Sequence, residues 1–226
     1  HEMNNPLAVI RGRAQLLARD LDGSASGEAA TLIAERAAEL SDLITALRES
    51  VEPLHLEPAR VHLASFLEES ARRYVSERGP AAGAVRLEVE APGGVAHVRM
   101  DSDQMRSVLF ELIDNAIQAP ETRRIRLRAE IESGIGRLRL VVEDDGAGLT
   151  PQALEHGFDP FFSDLPAGRR PGLGLTRVRR IVEAHGGRVH LGNGPEGGAR
   201  AEIRLDMAEA SASSGIDCDA GIAQAG

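Results

Sequence analysis

Four groups of residues along the 226-residue chain have types and spacings that could do chemistry. The first is His1, Glu2 and Asn5. A neutral imidazole, with a reference pKa of about 6.5, presents an unprotonated nitrogen near neutral pH and can act as a nucleophile. A neighbouring carboxylate such as Glu2 can hold the other ring N–H and take its proton. An exposed His beside a Glu is equally an ordinary surface feature. The second group, Glu111, Asn115 and Gln118, falls on one face of a helix expected near 102–119, whose other face carries Met105, Val108, Leu109, Leu112, Ile113 and Ala116. Carboxylate and amide oxygens at that spacing suit a Mg²⁺ ion that itself holds phosphates, and a solvated polar face is the competing reading. The third is Asp144 with Gly146 and Gly148: a strand ending in Glu143-Asp144 runs into Asp145-Gly146-Ala147-Gly148, where glycine permits a tight turn and close backbone approach to a ligand. The fourth, Pro171-Gly172-Leu173-Gly174-Leu175, precedes a helix whose first N–H groups would face phosphate, although glycines at helix ends are common.

Two helices must position the first group. Met3, Leu7, Ile10, Ala14, Leu17 and Leu21 alternate spacings of four and three, as do Ile33, Ala37, Leu40, Ile44, Leu47, Val51 and Leu54. The intervening segment 22–27 has the glycines and serines of a loop, so residues 1–54 read as an αα-hairpin. One narrow apolar seam per helix buries poorly alone, which predicts a homodimeric four-helix bundle; a hairpin folded onto its own C-terminal domain is the alternative. His1 and Asn5 lie outside the seam, one turn apart on the outer face.

Pro53 and Pro58 end the second helix and mark a linker over 55–60. Alternating periodicities then define a second domain over 61–206. Its expected elements are helices near 64–78, 102–119 and 173–185, and strands near 84–90, 95–100, 123–131, 137–144, 187–192 and 199–205. A hairpin turn falls at Ser133-Gly134 and a loop-rich stretch at 145–171. This is an α/β sandwich, one sheet covered by helices, and the whole chain is α+β. His185 reads as a helix C-terminal residue favoured by the dipole. Residues 207–226 lack any period and read as a disordered tail.

Composition narrows the classes of function. Net charge is −9 and no basic block is present, which excludes general affinity for nucleic acid or direct contact with an anionic membrane. All 26 cationic side chains are Arg, so phosphate contacts must come from Arg, His, backbone N–H groups or a metal. The single Cys218 builds no disulfide framework and fits a reducing cytoplasm. No apolar run reaches the roughly 18 residues of a membrane span. The chain opens at His1, which reads as a fragment or processed product and leaves an anchor upstream of His1 open.

The motifs carry a family resemblance over nearly all of residues 1–206. HEMNNPLAVI resembles the phosphoacceptor box of bacterial two-component sensor histidine kinases, FELIDNAIQA their Asn box, EDDGAGL their first glycine box, FDPFFSD their Phe box and GLGLTRVRRIVEAHGG their second glycine box, in the family's order. The resemblance implies a phosphotransfer hairpin followed by a Bergerat-type ATP-binding domain with a mixed sheet, related to type II topoisomerases, Hsp90 chaperones and mismatch-repair ATPases. It makes His1 the phosphorylated residue, Glu2 its base, and Asn5 the residue that aligns water in a phosphatase reaction. Asn115 becomes the Mg²⁺ ligand, Asp144 the acceptor for the adenine amino group, and Gly146 and Gly148 the turn that admits the purine. Phe158 to Phe162 with Arg169 and Arg170 resemble a mobile lid, and Gly172 and Gly174 its phosphate-contacting hinge. The implied cofactors are ATP and Mg²⁺, and the implied partners a second copy and a response regulator receiver domain.

Two positions depart from the family's pattern. Glu111 stands where most such kinases have an Asn, and the Hsp90 and mismatch-repair relatives use a Glu there to activate water. It could hold Mg²⁺, serve as a base or raise futile hydrolysis. The lid segment FSDLPAGRRPG lacks Lys, leaving Arg169 and Arg170 as its phosphate contacts. Rival readings are an ATP-hydrolysing clamp built on Glu111 and a nucleotide-binding module without catalysis.

Overall fold

The computed structural model describes residues 4–51, 54–79, 85–92, 96–132, 136–164 and 172–206; for residues 4–5, 42 and 45–51 it describes the backbone alone. His1, Glu2, the Asn5 side chain, Arg169, Arg170, the expected turn at Ser133-Gly134 and the expected tail 207–226 lie outside the described residues.

Helices α1 (Asn4–Asp20) and α2 (Ala25–Val51) form the expected hairpin. The turn is tighter than the glycine-rich stretch suggests, because Ser24 caps α2. Its hydroxyl accepts from Gly27 N at 3.1 Å and donates to the Leu21 carbonyl at 2.6 Å. Gly27 lies so close to that carbonyl that any Cβ would overlap it. The helices meet through small side chains, with Ala14, Ala30, Ala34 and Ala37 buried. The larger seam residues Ile10, Leu17, Ile33 and Leu40 remain about half exposed.

β1 (Ala59–His62) begins inside the stretch expected to be linker, because it pairs antiparallel with β3 (His97–Met100), from Ala59 opposite Met100 to His62 opposite His97. Leu54, expected to end the second heptad seam, packs on the core of the second domain instead. Between these strands run α3 (Leu63–Arg78) and β2 (Arg86–Glu90). The chain continues through α4 (Ser102–Gln118), β4 (Arg124–Glu132), β5 (Arg137–Asp144), α5 (Pro151–His156), α6 (Gly174–Ala184), β6 (Arg188–Asn193) and β7 (Ala199–Asp206). Helix α5 interrupts the expected loop, started by Thr150, whose hydroxyl accepts from Ala153 N at 3.0 Å, and by Pro151 in the first turn.

The main sheet has the order β2-β4-β5-β7-β6, with β2 parallel to β4 and all other pairs antiparallel. Alternation puts Ile125, Leu127, Ala129, Leu138, Leu140, Val142, Ala201, Ile203 and Leu205 on one face, where they join residues of α3, α4 and α6 in a single aliphatic core. The sheet is thus mixed, with its core side under helices.

The intervening positions form a ladder of Arg and Glu. Glu202 meets Arg139 at 2.8 Å, Arg200 at 2.9 Å and Arg204 at 2.6 Å. Burial alone would raise the Glu202 carboxyl, but hydrogen bonds from Arg139 and Arg204, followed by charge, lower it to about 2. A depressed folded pKa means that this stabilisation is complete above about 4.5, the ordinary value, and is lost as pH falls towards 2. Glu202→Gln is therefore expected to cost about 1–2 kcal/mol at pH 7 and to flatten the loss of stability between those two pH values. Thermal melts of both proteins across the range check this.

Candidate nucleotide-binding site

The candidate site has two parts, the start of α6 against the middle of α4 and the turn that follows β5. Asp101 starts α4, its Oδ1 accepting from the N–H groups of Asp103 and Gln104 at 3.0 Å each. The six apolar residues expected on the core face of α4 are buried, and Glu111 and Asn115 are partly buried. Gln118, expected in the same polar row, donates its side-chain N–H to the Asp114 carbonyl at 2.9 Å. Asp114 is a buried polar residue that the sequence reading passed over. It accepts from the Tyr74 hydroxyl and, at 2.7 Å, from Arg78 Nη2, which ties α4 to α3. The available signal was an Asp on the core face of an apolar helix, a position that demands partners.

Glu111 abuts the start of α6. A Cβ on Gly174 would stand 2.8 Å from Glu111 Oε2, and Arg177 Nη1 lies 4.0 Å from Oε1. Gly174 therefore permits the close approach. Leu173 provides no side-chain cap to α6, so the first N–H groups of this helix keep the polarity that attracts anions. Gly172 has φ +68° and lies against the Phe162 carbonyl, where a Cβ would overlap. Its own carbonyl accepts from Phe161 N at 3.0 Å, closing the base of the segment between them.

Asp144 ends β5 with only 6% of its surface exposed. Its Oδ1 accepts from Gly146 N at 2.9 Å and Ala199 N at 3.1 Å. Among the described residues nothing donates to Oδ2. Burial raises the Asp144 carboxyl above the ordinary range, opposed by the two N–H bonds and assisted by the charges of Asp145 and Glu143. Asp145 holds the turn, its Oδ1 accepting from Arg123 N and Arg124 N at 2.8 Å each. Gly146 packs against Pro120 and Thr122, and Gly148, at φ +78°, against Gly197 and Asn193. Gly198, absent from the sequence reading, lies where any Cβ would overlap the Asp144 carbonyl; the signal was the glycine pair before the last strand. The structure thus brings Glu111 to Gly174, two residues after Gly172, and sets Asp144, Gly146 and Gly148 on one turn; Asn115 stands about one turn along α4 from Glu111.

Asp144→Asn separates binding from folding. The amide oxygen can still accept both backbone N–H bonds, and no buried charge remains to be desolvated, so the melting temperature is expected to hold or rise. Affinity for ATP is expected to fall at least about tenfold, because the amide can present a donor where the ligand needs an acceptor. Calorimetric titration with ATP, with a melt on the same sample, reads both.

A buried acceptor at the end of a strand, a glycine turn and a helix start beside a carboxylate are what the resemblance to ATP-binding domains implies for this sandwich. Residues 100–209 match the family described as histidine kinase-, DNA gyrase B- and HSP90-like ATPase. The sensor histidine kinase ZraS of Klebsiella oxytoca is 33% identical over 201 residues, covering 88% of this chain and 42% of that protein. The sensory histidine kinase/phosphatase NtrB of Salmonella typhimurium is 30% identical over 215 residues, covering 86% of this chain and 57% of that protein. Among solved structures, full-length ShkA in complex with AMPPNP matches with a TM-score of 0.67 at 25% identity, over 93% of this chain and 45% of that one. Over 88% of its length the chain is thus similar to a two-component sensor histidine kinase, and it spans about two fifths of the length of ZraS.

Proposed function

We propose that this chain is the transmitter core of a sensor histidine kinase, which moves the γ-phosphoryl group of ATP to His1 and then to an Asp of a response regulator. The observation that carries this reading is Asp144, a buried carboxylate with one oxygen fixed by two backbone N–H groups and the other without a donor among the described residues. That oxygen suits the adenine amino group. Gly146 and Gly148 keep the adjoining turn close and free of side chains, while Gly172, Gly174 and the start of α6 face the phosphates, with Arg169 and Arg170 adding cationic contacts.

Mg²⁺ fits the donor set, because Asn115 offers an amide oxygen and Glu111 a carboxylate on neighbouring turns of α4. Among the described residues no group of three His, Cys, Asp or Glu could hold a metal, so most ligands would come from phosphate and water. When bound, the ion supplies charge neutralisation along the triphosphate. In the transfer itself a His1 nitrogen forms the N–P bond as the bond from the γ-phosphorus to the bridging oxygen breaks. ADP leaves, and Glu2 takes the imidazole proton. Asn5 aligns water for the reverse task, dephosphorylation of the regulator.

The working form is a homodimer. The exposed Ile10, Leu17, Ile33 and Leu40 supply the seam that a second hairpin covers, with the α1–α2 hairpin as the dimerisation and phosphotransfer unit and the chain from Leu54 and β1 to residue 206 as the catalytic unit. Among the described residues no helix is long and apolar enough to cross a membrane, and this part of the protein works in the cytoplasm. Incubation with γ-labelled ATP and Mg²⁺, followed by an acid wash, tests the reading. Label that acid removes indicates a phosphoramidate, whereas acid-stable label or none sinks it.

A further inference from the structure

Asp101 does more than start a helix. It is a buried residue, and its second oxygen, Oδ2, accepts from Glu57 N at 2.9 Å. Its own backbone N–H donates to His185 Nε2 at 3.1 Å. His185 ends α6, and its Nδ1 lies 2.8 Å from the Ile181 carbonyl. Because Nε2 accepts, Nδ1 carries the proton and donates to Ile181, so both ring nitrogens are used by a neutral imidazole. Burial raises the Asp101 carboxyl, but the N–H groups of Glu57, Gln104 and Asp103 outweigh it, and Asp101 stays ionised more readily than an ordinary Asp.

These contacts sit at one end of an antiparallel helix pair. α4 starts at Asp101 where α6 ends at His185, and about three turns away, roughly 15 Å, Glu111 of α4 meets Gly174 at the start of α6. A helix is stiff along its axis, so fixing its register at one end fixes it at the other. We infer that Asp101 and His185 form a positioning pair that sets the start of α6 against Glu111 and Asn115, and that the Glu57 bond ties the segment leaving the hairpin to that same setting. The consequence for turnover rests on the kinase reading above; the consequence for α6 does not. Neither residue touches nucleotide. The pair acts through the position of Gly172 and Gly174, and any displacement of the 55–58 segment is felt at Asp101 Oδ2 before it is felt at the phosphates.

The test uses the whole chain with His185→Phe, which removes both ring nitrogens, and His185→Gln, whose side-chain oxygen can still accept from Asp101 N–H. In the Phe variant the turnover number for γ-phosphoryl transfer is expected to fall at least tenfold, with ADP affinity within threefold of the parent. Hydrogen exchange at the amides of residues 177–180, the first in α6 with acceptors inside the helix turn, is expected to rise at least tenfold, with the amides of β4 and β5 unchanged. The Gln variant is expected to recover rate and exchange to within threefold. Parent-like rate and exchange in the Phe variant overturn the inference, as does a Gln variant as impaired as the Phe variant. A drop in ADP affinity equal to the drop in rate also overturns it, since that marks general loss of structure. A parent protein that transfers no label refutes the kinase reading alone, because the exchange and ADP measurements still report on the pair.

Discussion

A His1→Gln variant is expected to take up no label from γ-labelled ATP. The amide nitrogen of Gln has its lone pair delocalised into the carbonyl and cannot attack phosphorus, whereas a neutral imidazole nitrogen can. Size and polarity are otherwise similar, and the nucleotide pocket is built from α4, β5 and α6, none of which includes position 1. Affinity for ATP should therefore stay within about threefold of the parent, under roughly 0.7 kcal/mol. Autoradiography of the labelled protein beside a calorimetric titration gives both numbers. Label at the parental level in the variant would move the phosphoacceptor to another residue, and acid stability of that label would show its chemistry.

Glu111→Gln should have the next largest effect, and it divides the kinase from its hydrolytic relatives. A general base that removes a proton from water contributes about 10²–10⁴-fold, so if Glu111 served chiefly in that role, phosphate release would drop by that factor while transfer to His1 survived. The expected result is different: label transfer falls at least as far as hydrolysis. Glu111 lies against Gly174 and within 4.0 Å of Arg177, at the meeting point of α4 and α6, where its charge can support Mg²⁺ and hold the start of α6. A kinase that spent ATP on water would also lose its donor before His1 arrived. Both activities measured on the one variant decide between the two roles.

Much of this was legible in the residues. The apolar face of α4 followed from a period of 3.6, and β4, β5 and β7 from clean alternation, because a half-buried element records its environment in its pattern. What escaped depended on long-range contacts. β1 is four residues, too short for its Ala-Arg-Val-His alternation to stand out, and exists because β3 pairs with it. Leu54 satisfied a heptad and yet packs on the other domain, since spacing says which side chains share a face and not which surface covers them. Asp144 and Gly146 were visible as an acceptor and a turn. The glycine pair before the last strand was visible too, but that Gly198 must lack a Cβ, because the Asp144 carbonyl occupies that space, followed only once β5 and β7 were placed side by side. Asp101 and His185 are far apart in sequence, and only His185 read as a helix end, so their contact had no local signature at all.

The alanines inside the hairpin have a thermodynamic consequence. Ala14, Ala30, Ala34 and Ala37 let α1 and α2 approach closely but remove little apolar surface from water, whereas the larger seam residues stay about half exposed. In the homodimer proposed above, most of the driving force for this half of the protein is bimolecular and mass action governs it: dilution is expected to loosen the hairpin, while the other half keeps a core that is complete within one chain. The amount of protein made in the cell thus becomes part of the folding equilibrium of the helices that carry His1.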